Sequence, residues 1–188
     1  KIYKPTSAGR RNSSVNDYVE ITHKHKNRPE KSLTEPLKKT GGRNHHGKIT
    51  SWQRGGGNKR RYRIIDFKRI TDDKPAAVIE IQYDPNRTCH IALIEYEPGR
   101  RAYILAPLGL KAGDTVESGQ KVEPKIGNSM PMASMPTGMN IHNIEMNVGQ
   151  GGKMVRTAGG TATLLAKEKN WATIRLPSGE MRHVRIEC

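Results

Sequence analysis

The residues best placed to do chemistry lie between positions 41 and 63. Gly42-Arg43-Asn44-His45-His46-Gly47-Lys48 has the G-x4-G-K spacing with which a loop wraps a nucleotide phosphate. A magnesium-ligating hydroxyl should follow, yet the next residue is Ile49, and Thr50 comes one place late. Such a loop also hangs from a buried strand, which Leu37-Lys38-Lys39-Thr40 is not. Nucleotide hydrolysis is therefore the weaker reading. The glycines instead mark backbone that a polyanion can approach closely, with Arg43 and Lys48 as phosphate contacts and Asn44 as a polar one. Arg54-Gly55-Gly56-Gly57-Asn58-Lys59-Arg60-Arg61-Tyr62-Arg63 repeats the pattern, with three glycines exposing the main chain between cations. A flexible linker would share those glycines, but the flanking charge density argues against it.

The remaining constellations are weaker. Arg87 follows the turn Asp84-Pro85-Asn86, and Gly149-Gln150-Gly151-Gly152-Lys153 precedes Arg156 and Gly159-Gly160. Each reads equally well as an ordinary surface cation or as a polyanion contact. His45-His46 and His23-x-His25 lack the carboxylate or cysteine that would complete a metal set. Cys89 and Cys188 form no CxxC pair and predict two free thiols. Met130, Met132, Met135 and Met139 read as core filler. No Ser/His/Asp triad, Cys/His pair or paired carboxylates can be assembled locally, so no catalytic residue, metal or cofactor is expected.

The charge is one-sided. Residues 1–69 hold 19 Lys/Arg against 5 Asp/Glu, whereas residues 70–188 hold 14 against 13. Between Glu35 and Asp66 there is no acidic residue. Such a block calls for a polyanion, and nucleic acid is the best candidate. No segment has the length and apolarity of a membrane helix, and the N-terminus has no signal-like apolar region. The absence of an initiator Met is compatible with processing or with a piece of a longer chain.

The elements that must position these residues are short strands. Residues 1–60 lack helical periodicity and predict an extended arm, ordered only against a partner. Runs at 62–68, 76–83, 90–96, 101–105 and 115–117 are separated by turn clusters at 71–75, 84–86 and 98–99. Ile79, Ile81 and Tyr83 alternate with Glu80 and Gln82 as a half-buried strand would. Five such strands predict a small closed barrel. After a Pro/Gly/Met connector at 127–138, runs at 161–166, 171–176 and 181–186 predict an antiparallel meander. The class is all-β: a basic arm and two small barrels.

Several runs together resemble a known family. Lys4-Pro5-Thr6-Ser7-Ala8-Gly9-Arg10-Arg11, Gly41-Gly42-Arg43-Asn44, Arg54-Gly55-Gly56-Gly57 and Tyr62-Arg63-Ile64-Ile65-Asp66-Phe67-Lys68-Arg69 are similar to the bacterial-type large-subunit ribosomal protein "L two" family. Tyr83-Asp84-Pro85-Asn86-Arg87, Tyr103-Ile104-Leu105-Ala106-Pro107, Gly109-Leu110-Lys111-Ala112-Gly113-Asp114, His142-Asn143-Ile144-Glu145 and Arg175-Leu176-Pro177-Ser178-Gly179-Glu180-Met181-Arg182 follow in the family's order.

The resemblance implies an arm over 1–60, an oligonucleotide-binding (OB-fold) barrel over 61–125 and an SH3-like barrel over 126–188. It implies a structural role in translation. The chain would bind large-subunit (23S-type) rRNA, support subunit association and help organise the peptidyl-transferase region. Partners would be that rRNA, neighbouring ribosomal proteins and the small subunit, with no membrane or small-molecule substrate. The setting would be a bacterial cytoplasmic ribosome, or that of a mitochondrion or plastid. Two family RNA-binding arginines fall on Arg87 and Arg156. The expected RNA-binding set is Arg10, Arg11, Arg43, Asn44, Lys48, Arg54, Gly55, Gly56, Gly57, Lys59, Arg60, Arg61, Arg63, Lys68, Arg69, Arg87, Lys153 and Arg156. Ala8, His45-His46, Met130, Met132, Val148 and Lys153 depart from the common pattern, and Lys153 adds a cation. The family's basic Gly/His-rich tail has no counterpart before Cys188, so His142 inherits no role from it. A free regulatory RNA- or DNA-binding module is the competing reading.

Overall fold

The computed structural model describes residues 1–23, 28–69 and 74–188. His25 and turn residues 71–73 lie outside the described residues. Among those described there is no α-helix, only a 3-10 turn at Lys31–Leu33. Twelve strands follow in chain order: β1 (Thr34–Pro36), β2 (Arg61–Arg63), β3 (Ala76–Gln82), β4 (Ile91–Glu97), β5 (Arg100–Leu105), β6 (Thr115–Val116), β7 (Asn140–Ile141), β8 (Ile144–Glu145), β9 (Gly152–Met154), β10 (Ala162–Glu168), β11 (Trp171–Arg175) and β12 (Met181–Arg185). The chain is all-β, with an OB-type unit followed by an SH3-like unit.

The first unit is an antiparallel sheet in the order β5-β4-β3-β6, curled into a half barrel. β4 is buried on both faces, which its Ile-Ala-Leu-Ile run anticipates. Ala92 and Ile94 pack inward with Val78, Ile104 and Val116, while Ile91 and Leu93 pack outward with Ile65, Tyr103 and Leu105. The run expected as one strand over 62–68 is split. β2 pairs with β1, and then Ile65 makes a single parallel bridge to Tyr103. Closure therefore depends on isolated contacts rather than a fifth full ladder. The expected alternation along β3 is also corrected. A bulge between Val78 and Glu80 shifts the inward face, leaving Ile79 and Tyr83 38% and 39% exposed while Val78 and Gln82 are buried. Gln82 tolerates burial because Tyr103 donates its hydroxyl to the Gln82 amide oxygen at 2.9 Å.

The arm is folded locally and tied to this unit. Ile2 bridges Ser14 in a terminal hairpin, and Arg10 lies over the Tyr3 ring at 5.3 Å. Ile21 is buried, and Thr22 exchanges two hydrogen bonds with the Ile81 backbone. Glu30 donates its amide to the Tyr103 hydroxyl at 2.8 Å.

The second unit has the sheet order β12-β11-β10-β7 plus the β8-β9 hairpin. Ala172, Ile174 and Val184 point inward as the alternation predicts, and Met132 is buried among them. Met135 and Met139 pack against the same core. β7, β8 and β9 are two or three residues long, too short to leave a period in the sequence. At the junction Gly152 donates its amide to the Phe67 carbonyl at 2.9 Å, and Ala158 donates to the Thr88 hydroxyl at 3.1 Å. Gly151 is closely packed with φ +81°, and a Cβ there would sit a tight 3.1 Å from the Phe67 carbonyl.

Candidate nucleic-acid interface

The P-loop-like segment is a small hairpin. Arg43 bridges Ile49, and Asn44 and Lys48 are joined through their backbones at 3.0 Å. The Asn44 side-chain oxygen accepts the His46 and Lys48 amides at 3.0 and 3.1 Å. Those are amides that a nucleotide phosphate would need, so the loop is closed on itself. Asn44 is thus a turn former, while Arg43 and Lys48 are exposed on either side.

The triple-glycine loop is organised from beneath by Lys39. Its ammonium donates to the carbonyls of Gly56, Gly57 and Asn58 at 2.7, 3.3 and 2.7 Å. Gly55, Gly56 and Gly57 all have positive φ, which only glycine adopts freely. With the carbonyls gathered on Lys39, the glycine amides bond to no acceptor among the described residues. Such turned-out amides can accept an anion, and Arg54, Lys59 and Arg60 are exposed around them. Lys39 was legible in the sequence only as one more cation in a dense cluster.

Asp84 organises a different kind of site. Its carboxylate is fully buried and accepts Arg63 Nη1 at 3.3 Å, the Asn86 amide at 2.9 Å and Arg87 Nε at 2.6 Å. Arg63 was expected at the RNA surface, but it is 6% exposed and serves as a buried partner of Asp84. Burial without that carboxylate would be prohibitive. Arg61 remains exposed, with one nitrogen 3.2 Å from the Thr34 carbonyl.

Arg69, also expected at the RNA surface, turns inward. Asp66 accepts the Lys68 and Arg69 amides and caps a turn in which Arg69 has φ +50°. The Arg69 guanidinium then reaches inward to Ser118 Oγ at 3.0 Å and the Gly127 carbonyl at 3.2 Å. It spans the gap between the 66–69 segment and the chain just after β6, where the sheet is open. Burial pulls its pKa down, with Tyr96 and Asp66 pulling it back. Its work is closure of the half barrel.

Arg87 and Arg156 come from different units and converge on one ring. The Arg156 guanidinium lies 4.7 Å from the Phe67 centroid, and that of Arg87 lies 5.8 Å from it and 5.9 Å from the Tyr62 centroid. Cys89 reinforces the junction by donating its thiol to the Arg156 carbonyl at 3.2 Å. Burial pushes the Cys89 thiol pKa up against the pull of Arg87, keeping it a donor. Lys68, adjacent to Phe67, and Lys153 on β9 are exposed. Arg10 and Arg11 are exposed on the terminal hairpin. Phe67 is the chain's only phenylalanine, and sequence reading passed over it because its role depends on two residues remote in the chain.

A basic surface with two arginines fixed at a junction between small barrels suits nucleic acid. A family model described as Ribosomal Proteins L2, RNA binding N-terminal domain, matches residues 30–118. A second, described as Ribosomal Proteins L2, C-terminal domain, matches residues 125–188. The chain belongs to the ribosomal protein L2 family. It is a structural constituent of the large ribosomal subunit that binds rRNA. The ribosomal protein L2 match to the RNA-binding domain starts within the arm, just ahead of β1, which pairs with β2.

Proposed function

We propose that the arm over 1–60 supplies charge for rRNA binding while the barrels, over 61–125 and 126–188, supply a fixed geometry. Arg10, Arg11, Arg43, Lys48, Arg54, Lys59 and Arg60 neutralise phosphates, and the Gly55-Gly56-Gly57 amides meet backbone at close range. Arg87 and Arg156, helped by Lys68 and Lys153, grip one folded RNA element at the junction. The observation that carries this reading is the convergence of those two arginines on Phe67 from separate units. A protein held in this way welds RNA segments together. We infer that it thereby supports subunit association and the order of the peptidyl-transferase region, beside neighbouring ribosomal proteins, as a non-catalytic component. The ribosome would be bacterial or organellar.

If about eight cations each neutralise one phosphate, log affinity should fall with log salt at a slope of about −6 to −7. In a sucrose gradient of cell extract the protein should travel with the large subunit. A salt-independent affinity, or sedimentation near the top of the gradient, would overturn the reading.

A further inference from the structure

Trp52 is 85% exposed, although it lies in the most cationic part of the chain. A lone exposed apolar side chain is ordinary, but this one is held out by its backbone. The root of its turn is pressed onto the Arg43–Ile49 hairpin. Thr50 and Ser51 both donate their amides to the Gly42 carbonyl, at 2.9 and 3.2 Å. A Cβ on Gly42 would sit 2.1 Å from the Ser51 carbonyl oxygen, so only glycine permits that approach. Directly after Trp52, Gln53 takes φ +57°, a left-handed conformation uncommon for a residue with a side chain. A backbone outlier at the tip of a fixed turn points to a use for what the tip presents. The indole makes no aromatic or cation-π contact with any described residue.

We propose that Trp52 is a stacking site for an unpaired base of the rRNA. The proposal rests on the RNA-binding reading above and deepens it. Lys48 and Arg54 lie within four residues on either side, and no carboxylate intervenes between Glu35 and Asp66. Those cations draw in a phosphate backbone, and an indole beside it offers the π-face on which any base stacks. Ile49, 55% exposed on the hairpin before the turn, extends the apolar face.

The test uses the full chain with deproteinised large-subunit rRNA. Trp52→Ala should weaken binding by roughly five- to 150-fold, the range that base–aromatic stacking covers, with the salt slope unchanged. Trp52→Phe should restore most of the loss. In a Trp171→Phe background Trp52 is the only indole, and rRNA should shield its emission from acrylamide. Affinity of Trp52→Ala within twofold of the parent, or emission left open to acrylamide, would overturn the proposal. Shielding that requires added ribosomal proteins would overturn it too, by showing a protein partner. A parent chain that itself lacks salt-dependent affinity would instead sink the RNA-binding reading.

Discussion

Two cationic regions of this protein are built in opposite ways. Around positions 39–60 the charged groups stand in solvent on turns, anchored by backbone contacts such as those of Lys39 beneath the glycine loop and of Arg43 on the Gly41 carbonyl. At the barrel junction Arg87 is fixed by a buried carboxylate and two rings, and Arg156 shares one of those rings. Loosely held cations give affinity that salt can screen, because each contact is little more than counterion release. Cations held at fixed distance and angle discriminate between shapes. Under the proposed reading, net charge locates the partner, whereas the few oriented arginines would bound the site.

The comparison can be broken most forcefully in the arm. Replacing Arg43, Lys48, Arg54, Lys59 and Arg60 together with Gln should reduce the salt slope by about 4 and weaken rRNA binding roughly thousandfold near 0.1 M salt. Filter binding over a salt series reads both numbers. A slope near the parental value would show that the arm is not the electrostatic part.

Asp84→Asn attacks the other region. It leaves Arg63 buried without its counter-charge, so stability should fall by about 3 kcal/mol in denaturant titration. Breakage of a surface pair such as Lys74 with Glu97 should cost far less. If the two losses are alike, the buried carboxylate is not the organiser.

A smaller effect isolates Phe67. Phe67→Leu keeps bulk but removes the ring, and rRNA affinity should fall by about 1 kcal/mol. In that background the Arg87→Ala and Arg156→Ala effects should become additive, whereas in the parent they should couple. Phe67→Tyr should behave as the parent does.

The weakest effect concerns the tether between arm and barrel. Burial raises the Tyr103 pKa above its ordinary value near 10. The neutral hydroxyl is favoured in the fold, so its stabilisation is complete below that value and lost as pH rises through the native pKa. Stability measured across alkaline pH should therefore decline, and Tyr103→Phe should flatten the decline while costing about 1 kcal/mol at neutral pH.

Much of the architecture is legible in the sequence. β3, β4, β5 and the β10-β11-β12 meander announce themselves by apolar runs and turn residues, because each is at least five residues long. What escaped is non-local. The β3 bulge turns Ile79 outward while Ile81 stays buried, since a single inserted residue leaves no mark on composition. Arg63 and Arg69 look like surface cations among other cations. Only the fold reveals that one meets Asp84 inside and the other bridges the open side of the barrel. The motif resemblance singles out Arg87 and Arg156 as candidate contacts, but the ring they share leaves no sign in the sequence.

The most direct measurement compares discrimination rather than affinity. Binding of folded large-subunit rRNA and of an unrelated RNA of equal length should be measured for the parent, the arm quintuple variant and Arg87→Ala/Arg156→Ala. The arm variant should lose affinity for both RNAs and keep most of their ratio. The arginine pair variant should keep most of the salt slope, falling by no more than about 2, and lose most of the ratio. An arm variant that loses the ratio, or an arginine pair variant that retains it, contradicts the division of labour between charge and geometry.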